Sequence, residues 1–246
     1  MQALIFIGPL VFLAGFIDSI AGGGGLIALP AYVLAGIPIH VAMGTNKLSS
    51  SIGTLTASIT FFIHKKIWIK LAIIASSFAL IGSYLGATLA LMVSAIHLKT
   101  LMVLVLPLMA VFILRKRSEK TYTQNDKIPW FKISCITFAV GMYDGFLGPG
   151  TGTLLIFGFV SLIGMSYTQA SANAKVVNLA SGVAAIVSFG FSGNVDITLG
   201  LWAALFSILG NVSGSLLAIR FGRKIIQPIL IVVFSLLMVK LLMDVI

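Results

Sequence analysis

The 246-residue sequence is poor in charge: only 9% of its residues are Asp, Glu, Lys or Arg, while 59% are hydrophobic. A soluble domain is roughly 25% charged and about 45–50% apolar. A soluble globule of this length also exposes much of its surface to water, so it could not hide this much apolar area. The composition excludes an ordinary soluble domain and indicates an integral membrane protein.

Acidic residues and cysteine are also scarce. The chain has six Asp and Glu against 16 Lys and Arg, and its one cysteine, Cys135, lies in an apolar stretch. A single thiol excludes a disulfide framework and a cysteine-rich metal site. The sequence also shows no nucleophile with a neighbouring base, no metal-ligand cluster and no phosphate-binding loop. We therefore expect no enzyme, no cofactor and no metal.

The positive charge is concentrated in three short segments, 64–70, 115–132 and 220–224. This distribution is typical of cytoplasmic loops, which carry an excess of Lys and Arg. A nucleic-acid-binding face would need a folded polar domain, and no segment of this chain could form one. The net charge of +10 therefore predicts membrane topology and no nucleic-acid partner.

Two of the apolar stretches have an unusual length. A helix needs about 20 residues to cross the hydrocarbon core, and 3–36 and 131–165 are too long for one crossing and short for two. Both are interrupted by glycines, which predicts that new helices start at about Leu26 and Thr153. The apolar stretches run approximately over 3–36, 38–63, 71–93, 97–114, 131–165, 167–191, 196–219 and 224–246.

The two glycine-broken stretches belong to an internal repeat. Asp18 has a counterpart in Asp144, at a spacing of 126 residues, and Lys47 has one in Lys175, at 128. Equivalent connectors differ in charge, since 64–70 is basic and 192–196 has no positive residue. This difference predicts inverted repeats, a plan common in secondary transporters.

The predicted fold is therefore an all-α integral membrane protein with two inverted repeats. We expect each repeat to contain one glycine-broken re-entrant helical hairpin and three transmembrane helices. The predicted boundaries are 1–114 for the first repeat, 115–130 for a basic cytoplasmic connector and 131–246 for the second repeat.

Four ionisable residues lie inside the apolar parts of the chain. Asp18 and Lys47 are the only formal charges before His64, and Asp144 and Lys175 are the only ones in 133–195. Such a group costs about 2.5–3.5 kcal/mol at the bilayer centre on insertion scales, so it needs a reason. Two interpretations stay open. The lysines could attract an anion while the aspartates balance charge or couple transport, or an Asp–Lys pair in each half could neutralise itself.

The glycine breaks offer further groups for an anion. A helix that starts there has unpaired N–H groups and the positive end of its dipole at the break, and glycine allows close approach of a ligand. Ser49, Ser50, Ser51 and Asn178 are smaller candidates. For Gly82, Gly86, Gly210 and Gly214 we expect close helix packing. The candidate substrate-binding residues are Lys47, Lys175, Asn46, Asn173, Gly22, Gly23, Gly24, Gly25, Gly148, Gly150, Thr151, Gly152 and Thr153.

The motifs resemble a known family. The run from Gly15 to Gly25, followed by Pro30 and by 44–48, resembles the first repeat of the sulfite exporter TauE/SafE family. The run 141–152, followed by 172–176, resembles its second repeat. The resemblance implies a multi-pass permease of a bacterial or archaeal inner membrane, for sulfite, sulfonates or related small organic anions. It carries over as motif positions Asp18, Asn46, Lys47, Asp144, Asn173 and Lys175, with Asn173 standing where a threonine-like residue is expected.

The expected function is secondary transport of a small anion such as sulfite, an organosulfonate or a carboxylate, by alternating access. An anion channel and a membrane-embedded accessory subunit are the alternatives. Because no ATP-binding motif is present, an ion gradient or the substrate gradient should drive transport. The expected partners are the anion and membrane lipid, and assembly with further copies of the chain stays open.

Overall fold

The computed structural model describes residues 2–98, 100–101, 129–226 and 228–229, and these residues are helical with no β-strand among them. The prediction of an all-α protein is confirmed over this part of the chain. The predicted connector 115–130 and the apolar stretches 97–114 and 224–246 lie largely outside it. The helices are α1 Gln2–Ala21, α2 Gly25–Leu34, α3 Ile39–Ile63, α4 Ile69–Met92, α5 Trp130–Phe146, α6 Thr151–Gly158 with a π-helical turn Phe159–Ile163, α7 Tyr167–Phe191 and α8 Ile197–Phe221.

Three helices have the properties of membrane spans. In the described residues, α4, α7 and α8 are long and apolar enough to cross a bilayer. The outer faces of α4 and α8 also expose large apolar side chains. Such an apolar surface is suited to contact with lipid and not with water. These exposed side chains include Ile73, Leu80 and Ile81 on α4, and Leu201, Leu205 and Leu209 on α8.

Both glycine-rich breaks reverse the chain. Gly22 ends α1 with φ +79°, and Gly150 precedes α6 with φ +85°, a conformation that other residues rarely adopt. After the first break Gly24 lies against Ala14 and Asp18 of α1, so α2 turns back along α1. After the second, Gly158 at the end of α6 lies near Ile136 of α5. The new helices begin within two residues of the predicted starts.

The first helix of each half packs against a helix of the other half. Gly8 of α1 lies against Trp202 of α8, and Gly15 lies against Ser207, so α1 and α8 run in the same direction. In the same way, Gly141 of α5 lies against Ala79 of α4, and Gly145 lies against Ser83, so these helices are also parallel. The two halves are therefore interlocked. The glycines predicted to serve packing do so, since a Cβ at any of them would meet backbone atoms of the neighbouring helix: Gly82, Gly86, Gly210 and Gly214.

The central helices α3 and α7 cross in opposite directions. Gly44 of α3 lies beside Phe189 near the end of α7, and Ser51 lies beside Gly182, which is nearer the start of α7. Each central helix also packs along the last described helix of the other half, α3 on α8 and α7 on α4. The four helices thus form the frame into which the two broken hairpins fit.

The basic segments lie at one end of this frame. Lys70 Nζ is 5.5 Å from the centre of the Trp130 ring, and Arg223 Cζ is 5.9 Å from that of Tyr167. The backbone N–H of Trp68 donates to Asn173 Oδ1 over 3.1 Å. Segments 64–70, 129–132 and 220–224 therefore share an end, which is where the charge pattern predicts the cytoplasmic connectors.

Two apolar clusters occupy the two ends of the helix frame, and polar residues lie between them. On α3, Met43 belongs to one cluster and Phe61 to the other. The buried polar residues of α3, from Thr45 to Ser58, fall between these two positions. Because lipid and apolar side chains surround this layer, any polar group in it depends on partners inside the protein.

Candidate functional site

The four buried charges form two ion pairs, and both pairs cross between the halves. Lys47 Nζ lies 2.6 Å from Asp144 Oδ1, and Lys175 Nζ lies 2.5 Å from Asp18 Oδ2. The interpretation of one Asp–Lys pair inside each half is therefore wrong. The reason is the interlocked packing, because each hairpin places its aspartate beside the central helix of the other half.

The two aspartates use their second oxygens differently. Asp144 Oδ2 accepts from the hydroxyl of Ser181 on α7 over 2.6 Å. Asp18 Oδ1 accepts from the backbone N–H of Gly24 over 3.2 Å, at the start of α2. A carboxylate at a helix N-terminus is favoured by the helix dipole. Asp18 therefore occupies the positive end of α2, which the sequence indicates as a candidate binding position for an anion.

The two glycine breaks touch each other. Gly22 packs against the backbone of Gly152, so a Cβ on either residue would meet main-chain atoms of the other break. Thr153 Oγ1 donates to the carbonyl of Ala21 over 2.7 Å, which fastens the start of α6 to the end of α1. The breaks thus form one contact in the interior of the helix frame.

A polar cavity of about 40 Å³ lies beside this contact. One water needs about 10–15 Å³ measured in this way, so the cavity can hold a few waters or a small anion. Lys47 and both aspartates line it. The predicted site residues that line the cavity are Asp18, Gly22, Gly24, Gly25, Asn46, Lys47, Asp144, Gly148, Thr151 and Gly152.

Five predicted site residues do not line the cavity: Gly23, Gly150, Thr153, Asn173 and Lys175. Lys175 is 0% exposed, whereas Lys47 retains 8% exposure toward the cavity. Only one of the two lysines therefore lies where a ligand in this cavity could reach it.

Asn173 has a structural partner on each side of its amide. Its Oδ1 accepts from Trp68 N–H, and its Nδ2 donates to the carbonyl of Gln169 over 2.7 Å. The counterpart of Asn173 at a spacing of 128 residues is Thr45, whose hydroxyl accepts from the N–H of Asp196 over 2.9 Å. Trp68 and Asp196 are themselves 128 apart and precede α4 and α8. Asn173 and Thr45 therefore perform the same task at equivalent helix starts.

Two amide oxygens beside the cavity have no hydrogen-bond partner. They belong to Asn46 and Asn211, which are 9% and 1% exposed. A buried polar atom without a partner costs about 1–3 kcal/mol, so it calls for an explanation such as a bound ligand or water. The sequence reasoning missed Asn211 together with Ser207 and Thr54. Ser207 and Asn211 stand four residues apart on an apolar helix, a polar pair that could have marked the site.

Ser50 and Asn178, and Ser83 and Asn211, are polar in both repeats, but five other polar residues of the cavity have apolar or glycine counterparts at a spacing of 128 residues. The pairs are Asn46 and Ala174, Ser49 and Val177, Ser51 and Leu179, Thr54 and Gly182, and Ala79 and Ser207, of which the polar member always lines the cavity.

The chemistry of the cavity suits an oxyanion better than a metal ion. The Lys47 ammonium and the Asn46 amide can donate hydrogen bonds, as can the hydroxyls of Ser50, Ser51 and Thr151. Among the described residues, no group of three or more His, Cys, Asp or Glu could hold a metal ion. The four buried formal charges sum to zero, so an entering anion must take Lys47 from Asp144 or bring a positive charge with it.

Comparisons with known proteins identify the family of this chain. Residues 7–241 match the family model described as "Sulfite exporter TauE/SafE". The chain is 36% identical over 242 residues to "Probable membrane transporter protein ORF9" of Sinorhizobium sp, which covers 98% of this chain and 93% of that protein.

Two further relatives match over similar lengths. "Probable membrane transporter protein YfcA" of Escherichia coli strain K12 is 34% identical over 250 residues, with 99% of this chain and 92% of that protein covered. A "Probable membrane transporter protein" of Haemophilus influenzae is 33% identical, with 95% and 92% covered. No solved structure matches the chain. The motifs, the apolar helices and these matches together show that the chain is a membrane transporter protein and belongs to the sulfite exporter TauE/SafE family.

Proposed function

We propose that this chain is a secondary transporter that binds a small anion, such as sulfite, an organosulfonate or a carboxylate, in the cavity beside Lys47. The observation that carries the proposal is the cavity itself, where a buried ammonium lies beside two amides with unpartnered oxygens, at the contact of two broken helices. Intramembrane ionisable groups of this kind usually mark a substrate or ion pathway.

The groups around the cavity could replace the water shell of an oxyanion. Lys47 supplies the positive charge, and the Asn46 amide, whose oxygen has no protein partner, can turn its N–H groups toward the ligand. The start of α6 adds a helix dipole with its positive end at the cavity. The hydroxyl of Thr151 donates to the carbonyl of Gly148 in this structure and would have to turn from it to donate to a ligand. In surroundings that exclude water, such donors attract an anion more strongly than they would in bulk solvent.

We also propose that the halves 1–114 and 131–246 are inverted repeats with re-entrant hairpins. The helix directions support this, since α1 and α3 share the direction of α8, while α5 and α7 share that of α4. Because α3 and α7 are antiparallel, each helix runs opposite to its counterpart in the other half. The short helices α2 and α6, of 10 and eight residues, are too short to span the bilayer, which supports the hairpins.

Alternating access would follow from this symmetry. In the present conformation the cavity is lined by residues of α1, α2, α3, α5, α6, α7 and α8 and includes Lys47, whereas Lys175 is fully buried and does not line it. Exchange of the two halves' conformations would change the side from which the anion reaches Lys47. We place the protein in the inner membrane of a bacterium or archaeon, with the basic segments 64–70 and 220–224 in the cytoplasm.

The test is the flux of labelled anions into proteoliposomes. We expect wild-type protein to carry at least one of sulfite, sulfoacetate, thiosulfate or acetate, and Lys47→Ala to abolish this flux while the protein remains folded. Lys66→Ala, which removes a half-buried lysine of the connector 64–70, is the matched control and should keep the flux. Wild-type flux in Lys47→Ala contradicts the proposed site.

A carrier and a channel differ in counterflow. If the anion crosses by alternating access, unlabelled anion on the far side should accelerate uptake of labelled anion, because the loaded site returns faster than the empty one. Equal rates with and without unlabelled anion contradict the carrier.

A further inference from the structure

The two buried aspartates differ in whether their surroundings can accept a proton. Asp18 faces Lys175 Nζ at 2.5 Å with one oxygen and the Gly24 N–H at 3.2 Å with the other. A lysine ammonium and a backbone N–H can only donate hydrogen bonds. A proton on Asp18 would therefore point at another donor and would find no acceptor among these partners.

Asp144 has one partner that can reverse its role. Its Oδ1 faces Lys47 Nζ at 2.6 Å, and its Oδ2 faces the Ser181 hydroxyl at 2.6 Å. The same hydroxyl lies 3.0 Å from the carbonyl of Asn178, a second acceptor for its single proton. When Asp144 is ionised, Ser181 donates to it. When Asp144 is protonated, its hydroxyl can donate to Ser181 Oγ while Ser181 donates to Asn178, so every group stays paired.

Among the described residues, no other charged group near Asp144 is placed to bind the proton in its stead. On the helices packed around it, α3 contributes Lys47 and His40, of which His40 Nε2 lies 3.2 Å from the carbonyl oxygen of Val93, and α6 contributes no ionisable residue. Helix α4 contributes Lys70 and Tyr84, of which Lys70 lies over Trp130. Lys175 on α7 is bound to Asp18, which is the charge that α1 brings to the cavity. Tyr143, the neighbour of Asp144, donates to the carbonyl of Pro149 over 2.6 Å.

We propose that Asp144 binds one proton each time an anion binds at Lys47, so that anion and proton cross the membrane together. The proton comes from the aqueous phase and binds to Asp144 Oδ2, and the Lys47 ammonium passes from Asp144 to the anion. The charge of the site is zero before this step and zero after it with a monovalent anion. This inference rests on the proposed function, and Ser181 acts in it as a positioning residue.

The decisive variant is Asp144→Asn, which mimics the protonated carboxyl. Its new amide can donate to Ser181 Oγ and accept from Lys47, so we expect it to fold. Sulfite is the probe, and because sulfite itself binds protons, the measured quantity is the difference between wild type and variant. We expect Asp144→Asn to take up one proton fewer per sulfite, and to accumulate sulfite about tenfold less for each unit of inward pH gradient.

The paired control is Asp18→Asn. Its new amide would direct an N–H donor at Lys175 or at the Gly24 N–H. We therefore expect Asp18→Asn to lose folded protein, whereas Asp144→Asn should keep its thermal unfolding transition. If Asp144→Asn takes up as many protons per sulfite as wild type, the inference is overturned. An Asp144→Asn variant that fails to fold also overturns it. Absence of uptake of every panel anion by wild type contradicts the proposed function instead.

Ser181→Ala tests the positioning role. The variant removes both the donor to the ionised carboxylate and the acceptor for a proton on Asp144 Oδ2. The pH midpoint of sulfite uptake should therefore move, with the change larger in KM than in kcat. Ser188→Ala, on the same helix but bonded to Thr88, should leave the midpoint in place. If the midpoint does not move in Ser181→Ala, Ser181 does not position the proton on Asp144.

Discussion

Lys47 and Lys175 occupy equivalent positions in the two sequence repeats, and each is paired with an aspartate of the other half. Their surroundings nevertheless differ. Lys47 borders a polar cavity with hydroxyl and amide groups, whereas Lys175 is fully buried and does not line that cavity. A repeat with nearly the same charges can therefore serve two tasks, one open to a ligand and one that holds the hairpin in place.

The largest expected effect separates the two lysines by stability. Lys175→Ala leaves the Asp18 charge buried without its partner, which should cost about 3–5 kcal/mol of folding free energy. Lys47→Ala leaves Asp144 with Ser181 and a cavity that can admit water, so we expect a loss of about 1–2 kcal/mol. Thermal and denaturant unfolding in detergent will measure both. Equal losses would contradict the division of tasks.

The next effect compares the two glycine breaks. Gly22→Ala places a Cβ against the backbone of Gly152 at a positive φ, so strain of about 1–2 kcal/mol adds to an overpacking term of about 1–3 kcal/mol. Gly150 has the same sign of φ but nothing within 4 Å of its Cβ position. Gly150→Ala should therefore lose only the strain of about 1–2 kcal/mol. A Gly150 variant that is as unstable as the Gly22 variant would show that the contact between the breaks is not what restricts Gly22.

A smaller effect distinguishes ligand binding from scaffold. Asn46→Ala removes an amide beside the cavity and should weaken anion binding about tenfold, since one hydrogen bond to a charged group contributes about 1.5–3 kcal/mol at most. Asn173→Ala removes the acceptor for Trp68 N–H and should lower stability while the affinity stays unchanged. A binding titration with sulfite measures the first effect. Weaker binding of sulfite by Asn173→Ala would show that Asn173 contributes to anion binding.

The smallest effect is expected for Asn173→Thr. Threonine is the residue at the equivalent position 45, where its hydroxyl accepts the N–H ahead of the next helix. We therefore expect a change of less than about 1 kcal/mol in unfolding free energy and none in transport. A change in anion preference would mean that Asn173 acts on the ligand in another conformation.

Much of the fold was accessible from the sequence because the signals are local or periodic. The apolar stretches predict the helices, and the glycines predict breaks within two residues of where α2 and α6 begin. The spacing of 126–128 residues predicts the repeat, and Gly82, Gly86, Gly210 and Gly214 pack as expected of small residues in membrane helices.

The pairing of the charges could not be predicted in the same way. Asp18 and Lys47 belong to the same half and could be taken for partners, but the ion pairs form with Lys175 and Asp144. Which carboxylate reaches which ammonium depends on how the hairpin of one half inserts beside the central helix of the other. That insertion is a long-range packing event without a sequence period.

Asn173 shows the same limit in one residue. Its position next to Lys175 made it a binding candidate, yet its amide is used by Trp68 and Gln169. Asn211 shows the opposite case, a residue far from either glycine motif whose amide borders the cavity. A polar residue in an apolar helix signals that it has a partner, and the sequence does not say whether the partner is backbone or ligand.

By itself the sequence determined that this protein lives in lipid, that it is helical, that it breaks twice at glycine and that it carries four buried charges in two repeats. Composition and local spacing suffice for these properties, because lipid requires every backbone group to be satisfied within a helix. Only the tertiary structure decided that the charges pair across the halves and that the polar cavity lies beside Lys47 rather than Lys175. Those outcomes depend on contacts between residues more than 90 positions apart in the chain, where packing selects the partner.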